Sequence, residues 1–288
     1  MSRATPREQA QYHRLEAFGG LEMLRARYYR QRFSRHVHDT FCIGVIEEGA
    51  QRFYRSGGEH VAPQGDIILV NADDVHTGCS ARENGWAYRA IYPHPDLFRS
   101  LSHDLHHAEG TVPWFPDAVL HDPGLAQQLQ MAFRLLEQPG NTLLKETLLF
   151  SSLSWLTLRY SKTRRTPRTL PFSEQRVLQT KALLDDTPEQ EWSLTTLAAM
   201  AELSPWHYLR QFKALVGIPP HAYQVQARLR KAKTLMLQGQ ALATVSSQCG
   251  FSDQSHFTRH FKNAFGATPG SFIQSVVWYP AEQASLLP

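Results

Sequence analysis

The sequence predicts an α+β chain of two domains: an N-terminal antiparallel β-barrel backed by a helical segment, and a C-terminal all-α domain of two helix-turn-helix units joined by a long helix. Three observations predict it. Between Tyr28 and Tyr92, short runs rich in Ile, Val, Phe and Tyr are cut by turn residues at roughly eight- to twelve-residue intervals, the texture of a sandwich or jelly-roll barrel. From Leu144 to Leu158, apolar residues recur at helical spacing on two faces. Near the C-terminus, a pattern of ring, cation, ring, glycine and proline occurs twice, 49 residues apart. With 288 residues and 42% hydrophobic content, each domain has material for its own core.

Taken in order, residues 1–20 are polar and read as a flexible lead-in, and the barrel is expected over 21–121. Turn signals fall at Gly49, Ser56 to Gly58, Pro63 to Gly65 and Asn71 to Asp74. His36-Val37-His38 is followed by Cys42, and Gly65 is followed eleven residues later by His76. By the strand period of two, His36 and His38 share a face. The stretch Glu83 to Pro95 alternates apolar and polar and reads as the strand that closes the barrel, with Trp86, Tyr88 and Tyr92 placed to line a pocket. His103, His106 and His107 beside Asp104 converge on nothing and read as surface, while Val112 to Pro116 is expected to lie back across the barrel.

A helix pair is expected over 122–160, broken at Pro139-Gly140-Asn141. In its second member Leu144, Leu148, Ser151, Trp155 and Leu158 step by 4, 3, 4 and 3, a coiled-coil seam, and Leu149, Leu153 and Leu156 form another apolar face. A helix apolar on two sides needs two partners: its own barrel, and either more of the same chain or the same helix of a second subunit. Residues 161–172, SKTRRTPRTLPF, are basic, lack aliphatic periodicity and read as a linker.

The C-terminal domain is expected over 173–276, with a tail over 277–288. Ser173 and Ser193 read as helix N-caps, and His221 to Gln238 as a long helix rich in Arg228, Arg230, Lys231 and Lys233. Tyr208, Arg210, Phe212, Lys213, Gly217, Pro220 and Tyr223 match Phe257, Arg259, Phe261, Lys262, Gly266, Pro269 and Phe272. Phe257, Phe261 and Phe265 recur every four residues and take one helical face, leaving Gln254, Ser255, Thr258, Arg259 and Lys262 on the other. Glutamine, small hydroxyls and arginine are the side chains that bond base edges and phosphates in a major groove. A short apolar helix precedes each copy, which makes each unit helix, tight turn, helix. The upstream turn is one residue shorter, and Glu202 stands where the second copy has Gly250, a substitution suited to a turn that needs no positive φ.

The strings SPWHYLRQFKALVGIPPHAY and GFSDQSHFTRHFKNAFGATPGSF resemble the two helix-turn-helix units of AraC-type (AraC/XylS family) transcriptional regulators, over roughly the last hundred residues. The resemblance implies a sequence-specific DNA-binding regulator, an activator, working as a homodimer with double-stranded operator DNA, RNA polymerase and a small-molecule effector as partners, and without a cofactor. Carried over by position, Trp206, Leu209, Arg210, Gln254, Ser255 and Arg259 are the base-contact candidates, and His207, Lys213, His256 and Lys262 the phosphate contacts. For Trp206 the alternative is a ring packed on the scaffold helix. The histidine spacing of the N-terminal half is similar to the two short motifs of the cupin barrel, with Cys42 where metal-binding cupins carry a glutamate, and Asn71 and Asp73 where the second motif has proline and glycine. The resemblance thus implies a cupin-like effector pocket with His36, His38, Cys42, His76, Trp86 and Tyr88 as candidate lining. The alternatives are a divalent metal on His36, His38, Cys42 and His76, and structural roles, Cys42 alone being a small buried hydrophobe.

Charge is uneven: residues 161–288 hold 14 Lys and Arg against 8 Asp and Glu, and residues 1–160 hold 16 against 18. The basic half is the half with the repeats, as DNA contact requires. Three distant cysteines, Cys42, Cys79 and Cys249, argue for a reducing compartment. The N-terminus has no apolar signal core, and the nearest approach to a membrane span, Leu143 to Tyr160, is broken by Lys145, Glu146 and Arg159, so a cytoplasmic protein without membrane contact is expected. A metal-dependent cupin enzyme of dioxygenase or isomerase type tethered to a DNA-binding domain is the rival reading, set back by Cys42 at the glutamate position; an architectural DNA binder is the third. No Gly-rich phosphate loop, nucleophile elbow or HExxH is present.

Overall fold

The computed structural model describes residues 8–104, 112–162 and 171–279. Eight strands come first: β1 (Gln9–Leu15), β2 (Leu21–Tyr28), β3 (Arg32–His36), β4 (Cys42–Arg55), β5 (Gly58–Pro63), β6 (Ile67–Val70), β7 (His76–Ser80) and β8 (Trp86–Tyr92). Helix α1 (Pro95–Asp104), strand β9 (Val119–Leu120) and helices α2 (Pro123–Leu136) and α3 (Thr142–Tyr160) follow. The long β4 serves both faces of the barrel. Its first half pairs with β6 and β8, its second with β5 and β7, and β7 pairs on with β3.

The strand expected to close the barrel is central instead. Strand β8 lies between β2 and β4, and six of its seven residues are buried. Covering on both faces explains it: Trp86, Tyr88 and Ala90 face the barrel interior, while Ile91 packs in the cluster that includes Leu129, Phe133, Leu149 and Leu153 of α2 and α3. Arg89, between these, spans from Glu47 to Glu137 at the end of α2.

The lead-in expected over 1–20 is also corrected, for its described part. Residues 9–15 form β1, antiparallel to β2, because Tyr12 and Leu15 supply ring and aliphatic surface that β2 and the second helix-turn-helix unit bury; residues 1–7 lie outside the described residues. The segment Val112 to Pro116 lies across the barrel as expected, Phe115 being buried and its N–H and C=O both bonded to the Asn71 side chain. His106 and His107 lie outside the described residues.

Helix α3 buries Leu149, Leu153 and Leu156 completely against α2 and the barrel, each burial contributing about 1.5–3 kcal/mol. Its other face, Leu144, Trp155 and Leu158, is exposed, so among the described residues nothing of the same chain buries it. Of the expected linker, Lys162 bridges to Trp114, Phe172 opens the next helix, and 163–170 lie outside the described residues.

The C-terminal domain is built from α4 (Phe172–Asp186), α5 (Leu194–Met200), α6 (Pro205–Val216), α7 (Pro220–Leu237), α8 (Leu242–Gln248), α9 (Gln254–Phe265) and α10 (Pro269–Ser275). Ser193 caps α5 as expected, accepting from the Thr196 N–H. Ser173 does not cap α4: Pro171 precedes the helix and its carbonyl accepts from Glu174 and Gln175, so Ser173 falls in the first turn. The turn at Glu202 does require a positive φ, +54° against +75° at Gly250, which costs a non-glycine residue about 1–2 kcal/mol. Arg176 pairs with the Glu202 carboxylate there. The expected tail is partly a strand: β10 (Val276–Tyr279) runs parallel to β1 and joins the barrel's edge, because the backbone of β1 offers an unpaired row there; 280–288 lie outside the described residues.

Candidate nucleic-acid interface and ligand cavity

Helices α6 and α9 are built alike. Each starts on a capping side chain, Ser204 accepting from the His207 N–H and Asp253 from the His256 N–H, and each ends on a glycine in the left-handed region, Gly217 and Gly266. The His256 N–H holds the Asp253 carboxyl below the usual carboxylate range. Tyr208, Phe212 and Val216 are buried on one, Phe257 and Phe261 on the other. The Tyr208 hydroxyl shares a hydrogen bond with Thr180, 2.8 Å away.

The faces left over carry the base-contact candidates. Trp206 is 69% exposed. Arg210, Lys213, Gln254, Ser255, Arg259 and Lys262 are exposed, and Leu209 is half-buried. His207 lies with Nδ1 3.1 Å from the Ser204 hydroxyl. His256 is turned along its own helix, with its Nε2 2.9 Å from that of His260.

Between the two readers runs α7, whose 18 residues span roughly 27 Å at 1.5 Å per residue. Its cations are committed to protein. Arg228 donates to the carbonyls of Pro188 and Gln190 and to that of Gly250, tying the first unit to the turn of the second. Arg230 pairs with Asp185, Lys231 with Glu189, and Lys233 with Glu22 of β2. Nothing in the sequence separates these internal clamps from DNA-facing cations, because both kinds sit on a basic helical stripe.

A cavity of about 710 Å³ opens between the barrel and α7, within the size range of small-molecule sites. Of the candidates, His36, His38, Cys42, His76 and Tyr88 line it, with Tyr92 beside them. Trp86 does not. Its ring is 1% exposed and packs on Tyr28 and Tyr88, a core role that strand alternation alone does not distinguish from a pocket wall. From the other side come Leu229, Arg230, Lys233 and Thr234 of α7 and Phe265 of α9, residues that the sequence offered no reason to assign to a pocket in the other half. Burial pushes the Cys42 thiol up to about 12, so it stays protonated, and it is absent from the histidine group, which corrects the four-ligand alternative. Burial also raises Tyr88 and Tyr92 well above the usual phenol range.

The barrel touches both readers. Val37 stands between the two cavity histidines, and its side chain packs in the cluster of Val177, Leu197, Tyr208 and Phe212 of the first unit. Its N–H donates to Gln226 of α7 at 2.8 Å. At the second unit, Tyr12 donates to the Phe265 carbonyl at 2.6 Å. The two glycine caps dock the same way: a Cβ on Gly217 would meet Val75 at 2.3 Å, and one on Gly266 would meet the Tyr28 hydroxyl at 2.8 Å. Each reader is thus seated on the barrel by its C-terminal end, where only glycine combines the positive φ with so close an approach.

Comparison with known proteins places these halves. A family model described as an AraC-like ligand binding domain matches residues 18–153, and one described as a helix-turn-helix domain matches residues 197–275. The chain is 30% identical over 236 residues to an uncharacterized HTH-type transcriptional regulator, YbfI, of Bacillus subtilis, covering 82% of this chain and 85% of that one. It is 29% identical over 253 residues to the HTH-type transcriptional activator RhaS of Shigella sonnei, covering 84% and 88%. Among solved structures, apo ToxT of Vibrio cholerae, as a point variant, superposes with a TM-score of 0.58 at 11% identity over 94% of this chain and 97% of its own. Unsaturated fatty acid bound wild-type ToxT gives 0.58 at 12%, over 95% and 97%. At such identities the likeness is one of fold.

Proposed function

The chain belongs to the AraC-type transcriptional regulators, and from that premise we propose that it is an activator whose two readers, α6 and α9, enter successive major grooves of operator DNA under the control of a small molecule bound in the cavity. One observation carries the reading: the cavity is walled by the barrel on one side and by the helix that spaces the readers on the other. A ligand that fits one barrel-to-α7 arrangement better shifts the population toward it, and with it the placement of both readers. Activation is supported by the likeness to RhaS, a named activator, and makes RNA polymerase the third partner. The lining combines the three histidines and the charged Arg230 and Lys233 with the apolar Leu24, Ile68, Val70 and Leu229, which suits an effector with an apolar body and a polar group. Among the described residues no helix is long and apolar enough to cross a membrane, and a reader of operator DNA works where the DNA is, in the cytoplasm.

The test is a titration of the DNA upstream of the protein's own gene against excess random DNA, across a salt series. Selective binding that survives the competitor is expected, with an affinity that changes when the effector is added. Binding that random DNA abolishes at every salt concentration, with or without candidate effectors, would count against sequence reading.

The exposed face of α3 supports a homodimer. Trp155 is 52% exposed and Leu158 56%, on the same 3–4 spaced seam as the exposed Leu144 near the start of the helix, the geometry two copies of one helix use to pack. Trp155→Glu with Leu158→Glu is expected to give a monomer by light scattering without loss of the fold, since neither ring nor branch is in the core. A wild-type chain that is monomeric at micromolar concentration would overturn the dimer.

A further inference from the structure

The three cavity histidines have a geometry more specific than a hydrogen-bonding wall. His36, His38 and His76 each bring a ring nitrogen within 4.8 Å of the other two. The ring centres lie 4.1 Å apart for His36 and His76, 4.7 Å for His38 and His76, and 6.0 Å for His36 and His38. In every ring Nδ1 faces a main-chain carbonyl two residues away: Ser34 at 2.8 Å, Thr40 at 2.7 Å and Asp74 at 3.0 Å. A carbonyl only accepts, so each Nδ1 carries the ring proton and each Nε2 keeps its lone pair, while the His36 ring also lies against the His76 main chain. Anchoring one ring nitrogen by a hydrogen bond, so that the other presents its lone pair, is how histidines are held for a metal ion.

We propose that His36, His38 and His76 bind one divalent transition-metal ion through Nε2, leaving its remaining coordination positions open to the cavity. Imidazole donors suit zinc, nickel and iron, and metal–nitrogen distances of about 2.0–2.1 Å place three such nitrogens roughly 3.3 Å apart. Binding requires the rings to close from within 4.8 Å to that separation; the register between β3 and β7 is irregular just before His36, and His38 lies beyond the end of β3.

The surrounding charges permit an ion. Arg55, which faces His76 across the sheet, is matched by Asp74 and by the carbonyls of Leu69, Phe115 and Asp117. Lys233, beside His38, is matched by Glu22, and Asp39 adds a negative charge at the same end. Three neutral ligands leave the ion its full charge, so its open face favours an anionic oxygen donor such as a carboxylate. The site itself does not rest on the regulatory reading, and it is measured without DNA.

The experiment strips the full chain with a chelator, adds cobalt(II) or zinc(II), desalts, and reads metal by mass spectrometry, visible cobalt absorption and thermal melting. Expected are one ion per chain, ligand-field bands of a nitrogen site that change when acetate is added, and a higher melting temperature. His38→Gln and His76→Gln should each weaken retention by about 10-fold or more, and Cys42→Ala should leave it intact. His36→Gln, at a partly exposed position, supplies the same readout if a deeper variant fails to melt cooperatively. Failure of the wild type to retain metal, undiminished retention in His36→Gln with His38→Gln, or loss in Cys42→Ala would each overturn the site, and cobalt bands indifferent to acetate would overturn its open face.

Discussion

Arg55→Met is expected to destabilise the barrel by about 3–5 kcal/mol, the cost of removing one partner of a buried charge network. The Arg55 side chain is fully buried at the end of β4. Its Nε donates to Asp74 at 3.0 Å, one terminal nitrogen donates to the Leu69 and Asp117 carbonyls, each at 2.9 Å, and the other to Phe115. One guanidinium therefore holds together β4, the end of β6, the loop before β7 and the segment that crosses the barrel. Methionine fills most of the volume but removes the guanidinium donors from three carbonyls and a carboxylate, of which the Asn71 amide still reaches those of Phe115 and Asp74. Denaturant melts of the wild type, Arg55→Met and Arg55→Met with Asp74→Leu would measure it. A single variant within about 1 kcal/mol of the wild type would show that water replaces the donor at no cost.

Arg210→Ala combined with Arg259→Ala is expected to weaken operator binding by roughly 2–6 kcal/mol, the sum of about 1–3 kcal/mol for each base-contacting arginine. The two lie on separate readers held apart by α7, so their losses should add. Both side chains are exposed and stand outside the aromatic face of their helix, so the folded domain should melt as before. Random DNA should lose far less affinity than the operator, and the single variants should each relax one base preference. Equal weakening on every sequence would assign these arginines to the phosphate backbone instead.

The readers were legible because their signal is local. A ring every four residues, a capping side chain in front and a glycine behind are features of one helix, and the 49-residue repeat doubles them. The caps at Ser204 and Asp253 and the buried rings follow from that pattern with no reference to the rest of the chain. The histidine pattern His36-Val37-His38 with His76 was legible for the same reason, a strand period and a spacing, and the three rings do converge.

Other features depend on partners distant in sequence. Residues 9–15 look polar until Tyr12 meets Phe265 and Phe272, which lie more than 250 residues away. Trp86 and Tyr88 alternate like wall residues, yet only the second reaches the cavity, because β8 is central and packs on both faces. The seating of Gly217 on Val75 and of Gly266 on Tyr28 is invisible in sequence, where both glycines are simply helix terminators.

By itself, then, the sequence determined the order of barrel, helix pair and twin readers, the faces of the reader helices and the identity of the polar cluster, all of which rest on periodicity and spacing within about one element. Only the tertiary structure decided that the cavity has its second wall on the spacer helix, that the cations of α7 are internal clamps, and that the C-terminal strand closes onto β1. Those outcomes are set by groups that meet across 22 to 264 residues, and no local preference of either partner encodes such a meeting.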